Sequence, residues 1–231
     1  MSYDPVSLFR YNVSHKLECS VLCGILHMSS KYNVPHIRHR AIIALQHYFP
    51  PTLDGFCVAK AVRTSLRVRD TFHIANVASQ TDASALLASV LIFCAQQHLD
   101  YILDGVPHPG GAKELTRTNR SAVLHARHQL NHLARSVTLR ALYYSEECTR
   151  QNCLLVKRTE GAKLLEGRNG LVNPLSKFSC LSDIPVCADC REKLHEGIII
   201  GREEVWQKVP EIFGLAPDWD TLVKKDDADY D

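Results

Sequence analysis

The chain has 231 residues, an apolar share of 45% and a formal net charge of +2, enough for one large or two small domains with a real core. That balance excludes the strong basic excess of a dedicated nucleic-acid binder. The longest apolar run, Ala83 to Ala95, is broken by serines and falls short of the roughly 20 residues of a membrane span. The opening MSYDPVSLFRYNVSHK lacks the basic-then-apolar layout of a secretory signal. The nine cysteines are therefore expected to be reduced, and the protein cytoplasmic or nuclear.

The pattern reads as all-α. Within ECSVLCGILHMSS, Val21, Leu22, Ile25 and Leu26 recur at helical spacing. A second helix begins at Pro35, where a missing N–H costs nothing, and carries Ile37, Ala41, Ala44, Leu45 and Tyr48 before Pro50 and Pro51 end it. The two make a hairpin around the polar turn KYN. Cys57 to Ala75 is basic and poorly periodic. TDASALLASVLIFCAQQ then reads as a helix capped by Thr81 or Asp82 and apolar all round, hence central and buried. DGVPHPGGAKE is a loop by its Pro and Gly content.

Arg120 to Glu147 reads as one long helix with Ala126, Leu130, Leu133, Val137 and Ala141 inside. His125, Arg127, His128, His132 and Arg135 crowd its other face, which is expected to be solvated. From Cys148 to Pro185 the periodicity fades and a long loop is expected, with one short helix or hairpin in it. A loop of that length needs something to hold it. Helix resumes at CADCREKLHEG, with Trp206 as its core anchor, and the acidic tail 223–231 is expected to be disordered. Trp219, near that tail, is expected to matter less than Trp206. The expected segments are 1–53, 54–147, 148–222 and the tail.

Five cysteines fall between residues 148 and 190. The Cys187-x2-Cys190 knuckle can grip a tetrahedral Zn²⁺, and Cys148-x4-Cys153 can supply the other two thiolates. Cys180 and His195 are spare candidates. One structural zinc on Cys148, Cys153, Cys187 and Cys190 would order the long loop. Unliganded reduced thiols are the other main reading. A redox pair ranks third, because C-x2-C in that role opens a helix after a strand, and no strand precedes it here. Cys19, Cys23, Cys57 and Cys94 read as small buried hydrophobes. The chain carries no phosphate loop, no nucleophile elbow and no zinc-protease motif.

LHMSSKYNVPHIRHRAIIALQHYFPPTLDGF resembles the segment that follows the core of fungal (basidiomycete-type) BTB/POZ-domain proteins. Ser30-Lys31-Tyr32, Ile37-Arg38, Ala41, Leu45, Phe49-Pro50 and Thr52-Leu53 carry that likeness. Toward the other end, Cys187, Cys190, Arg202, Trp206, Pro210, Phe213, Leu215 and Trp219 are similar to the closing segment of the same family. The resemblance implies a non-enzymatic adaptor or scaffold working through protein–protein contacts. A BTB fold needs roughly a hundred residues upstream of these helices, so the expectation is a truncated BTB domain. Its N-terminal hairpin would then expose apolar residues and self-associate. The alternative is a zinc-stabilised nucleic-acid or chromatin binder using the basic face Arg117 to Arg140. Near-neutral charge, and no aromatic residues among the basic ones, favour the adaptor.

Overall fold

A computed structural model describes residues 17–143, 148, 150–166 and 172–228. Among them are thirteen α-helices, a π turn and a 3-10 turn, with no sheet. A lone bridge between Val106 and Lys113 closes the Pro-Gly loop. The all-α class expected from the sequence is the class found.

α1 (Cys19–Lys31) and α2 (Pro35–Gln46) form the hairpin, turned by Asn33 at φ +51°. Each is rotated about one residue from its expected face. α1 buries Cys19, Leu22, Cys23, Leu26 and Ser29, leaving Val21 45% exposed. α2 buries Arg38, Ala41, Ile42 and Leu45. Arg38 is drawn inward because its guanidinium donates to the Thr81 carbonyl at 2.9 Å, an orphan acceptor at a helix end.

α3 (Leu53–Val58) and α4 (Lys60–Arg63) are short. They deliver Arg63, which is buried and donates to the Tyr48 and Phe56 carbonyls. Its guanidinium also lies 4.0 Å from the Phe56 ring centre. The bare charge is thus met by carbonyls and an aromatic face. α5 (Val68–Gln80) rises from the stretch that read as aperiodic. Asp70 closes its first turn by accepting from the Arg67 N–H at 3.2 Å. Its apolar residues keep to one face, but the stretch 57–75 runs across short α3 and α4 and only the start of α5, so no single repeat spans it.

α6 (Ser84–Cys94) is the central helix, buried on nearly every side. Neither Thr81 nor Asp82 caps it. The N–H groups of Ser84 and Ala85 instead donate to the Asp226 carboxylate at 2.7 and 3.0 Å. α7 (Leu99–Asp104) and the bridged loop lead to α8 (Arg117–Leu133). The long helix does not run through: a π turn (Ala134–Thr138) precedes α9 (Arg140–Tyr143). Its wider turn shifts the register. Val123, Ala126, Leu130, Ala134, Leu139 and Leu142 are therefore buried, while Leu133, Val137 and Ala141 are only partly so.

The stretch that read as a long loop contains α10 (Gln151–Glu166), a helix of 16 residues. Its inward positions include Cys153, Lys157 and Gly161, which carry little apolar signal. α11 (Ala188–Gln207), α12 (Val209–Ile212) and α13 (Trp219–Ala228) complete the chain. Residues 223–228, expected to be disordered, continue α13 and are fixed through Asp226. Residues 229–231 lie outside the described residues.

Two cores result. The first draws on residues between Cys19 and Leu130, with Leu175 and residues between Val205 and Leu222, so segments 1–53, 54–147 and 148–222 all contribute to it. The second gathers Ala134, Leu139, Leu142, Cys153, Phe178, Leu181, Cys190, Leu194 and Ile198 among others. Trp206 anchors the first core as expected, at 1% exposure. Trp219 is as much part of it. The two indoles stack at 4.8 Å with an 11° tilt, and Trp219 Nε1 donates to the Trp206 carbonyl at 2.7 Å. Truncating either costs about 3–5 kcal/mol by the usual magnitude for a buried Trp, so the lesser role expected of Trp219 does not hold.

Candidate metal centre

The two cysteine pairs sit at two helix starts. Cys187 is the N-cap of α11 and Cys190 its third residue; Cys153 is the third residue of α10, and Cys148 precedes that helix. Helix N-termini present unpaired N–H groups and a partial positive charge, which favour thiolates. The Cys187 N–H donates to Cys153 Sγ at 3.4 Å, tying the pairs together. Cys153 and Cys190 are buried, Cys148 and Cys187 half-buried.

The four Sγ atoms all lie within 4.8 Å of one another. Tetrahedral coordination at about 2.3 Å per Zn–S bond places sulfurs about 3.8 Å apart, so only a small contraction separates the cluster from a filled site. The cluster could hold a metal ion, and an all-sulfur donor set suits Zn²⁺ rather than Mg²⁺ or Ca²⁺. Hydrogen bonds from Cys190 bring the Cys187 thiol down to about 7, whereas burial pushes Cys190 up to about 12. One thiol of the knuckle is thus readily ionised, and a bound cation would supply what the other needs.

Close helix crossings place the sulfurs. A Cβ on Gly201 would stand 2.6 Å from Thr138 Cα, and one on Gly197 would stand 3.1 Å from the Ala141 side chain. α11 therefore lies directly on the π turn and α9. On α10, Gly161 faces the Tyr143 hydroxyl in the same manner, 3.1 Å from an added Cβ. Sequence reasoning found the four sulfurs but missed these glycines. Their signal, a Gly-x3-Gly step on one helix face, was available at residues 197 and 201.

The spare ligands stay outside the cluster: Cys180 and His195 are both exposed. Cys19, Cys23 and Cys94 are buried as expected, and burial raises the Cys23 thiol to about 12. Cys57 differs from the expectation. It is only half-buried, and its Sγ accepts from Arg202 Nη2 at 2.9 Å. Sequence reasoning also missed Lys157. It is buried at 3% exposure and lines, with Cys148 and Cys190, a cavity of about 460 Å³ beside the cluster.

On the basic face, His125, His128, His132 and Arg135 are exposed. Arg127 turns inward to donate to the Ala95 and Gln97 carbonyls at 3.0 and 2.7 Å. Arg120 pairs with Glu114 at 2.6 Å. No described helix is long and apolar enough to cross a membrane. Comparison of the chain with family models, with curated proteins and with solved structures found no match.

Proposed function

We propose that the protein is a non-enzymatic module for protein–protein contacts, with its second core closed by one Zn²⁺ on Cys148, Cys153, Cys187 and Cys190. The observation that carries the contact role is the outer side of α1. Val21 and Met28 stand there, with Leu17 just before the helix and Tyr32 just after it, at 45–63% exposure, and Gly24 lies open between them. Soluble surfaces tolerate single exposed apolar residues, whereas a continuous row is a contact feature. The resemblance to BTB-type adaptors points the same way. So does the use of buried charges: Arg38, Arg63 and Arg202 bond to backbone carbonyls, and Asp226 bonds to backbone N–H groups. A reducing compartment, cytoplasm or nucleus, suits a site built of four thiolates.

The nucleic-acid alternative is weakened by the inward turn of Arg127 and the pairing of Arg120. A salt titration against random duplex DNA separates it, since phosphate contacts make affinity fall steeply with salt. For the contact role, the full chain and a Val21→Glu/Met28→Glu variant are compared by light scattering and by affinity capture. The reading expects self-association or a defined partner in the native chain, lost in the variant at unchanged helix content. A strict monomer with identical capture profiles for both proteins overturns it.

A further inference from the structure

Resting on the zinc reading above, we infer that Lys157 is the counter-charge of the metal centre. It sets how tightly four thiolates hold a dication. Zn²⁺ with four thiolates carries a net charge of −2, and two of these sulfurs, on Cys153 and Cys190, are at most 4% exposed. A buried double negative charge is unfavourable unless a positive charge stands near it. Lys157 meets that need by position. It lies one helical turn beyond Cys153, four residues on along α10, so the two share a helix face.

Lys157 is itself 3% exposed, and it lines the same cavity as Cys148 and Cys190. Arg140 and Lys193, and the carboxylates of Asp189 and Glu204, line that cavity too, but all four are exposed, where solvent weakens their fields. The ammonium has other bonding partners as well; the inference needs only its charge beside the sulfurs.

The test compares Lys157→Met, Lys157→Gln and Lys157→Arg with the native chain. Zinc affinity is read by competition with a chromogenic chelator, and the pH of half-release is read by acid titration. Both neutral variants should bind zinc about 10–100-fold more weakly, the usual range for groups behind metal ligands. They should also release zinc at higher pH, because protons then compete with less-stabilised thiolates. Arginine should restore both values to near native, and Co²⁺ absorption should report four sulfur ligands throughout. Zinc bound equally well by all four proteins overturns the counter-charge while sparing the metal site. An affinity loss shared by the arginine variant also overturns it, since packing and not charge would then be responsible. A native chain that takes up no zinc overturns the metal reading itself, and this inference with it.

Discussion

Asp226 reaches across 142 residues to cap the central helix, and its own charge works against it. Burial raises its pKa, outweighing the lowering by the Ser84 and Ala85 N–H groups and by Arg38. A carboxyl whose folded pKa lies above its unfolded value contributes stability that is complete below the unfolded pKa. That contribution is lost as pH rises through the folded pKa. Asp226→Asn removes the charge but keeps only one of the two accepting oxygens, so its stability relative to the native protein should be most favourable at pH 8. That relative stability should fall on acidification through the carboxylate range. Asp226→Ala loses the cap as well and should cost about 0.5–2 kcal/mol, the magnitude of a lost N-cap. Urea unfolding of the three proteins at pH 4, 6 and 8 checks both the sign and the trend. Nothing local in KKDDADYD marks this aspartate out from its acidic neighbours. Its partner is chosen by tertiary packing, which a local pattern does not contain.

Among the elements, those with a strong one-sided or all-round apolar pattern were legible. α2 had its proline start, α6 its apolar residues on every side, and α11 its cysteine knuckle at the N-terminus. The four-sulfur cluster was also legible, because paired spacing survives whatever the intervening chain does. α10 was not, since its inner face is made partly of a cysteine, a lysine and a glycine. The π turn was hidden for a different reason: a single shift of register leaves the residue types helical on both sides. The glycines of the helix crossings give opposite predictions. Gly201→Ala drives a Cβ against the Thr138 backbone, and overpacking of this kind costs about 1–3 kcal/mol. Gly24→Ala enters open space on an exposed helix and should stabilise by about 0.5–1 kcal/mol. Thermal melts of the two variants should therefore move in opposite directions from native, and a like-signed pair would refute the packing described for α11.

For the whole molecule, the division into two cores decides what zinc removal does. The first core holds both tryptophans and the central helix, and none of the four clustered cysteines. Chelation of zinc, or Cys187→Ser, should speed amide exchange in residues 151–166 and 188–198. Residues 68–94 should remain protected. Uniform loosening of both regions, or none at all, would refute a metal confined to the second core.

The bond between Asp226 and the start of α6 also constrains the order of events during synthesis. α6 leaves the ribosome well before its cap exists, because 142 residues separate Ser84 from Asp226. At about 5–20 residues per second, the most apolar helix waits roughly seven to thirty seconds with its first N–H groups unanswered. Over that interval the nascent chain depends on hairpin α1–α2 and on α5 to shield it. Ribosome-bound chains stalled at residue 215 should thus be cleaved by protease within 84–94, and chains long enough to expose residue 228 beyond the exit tunnel should resist.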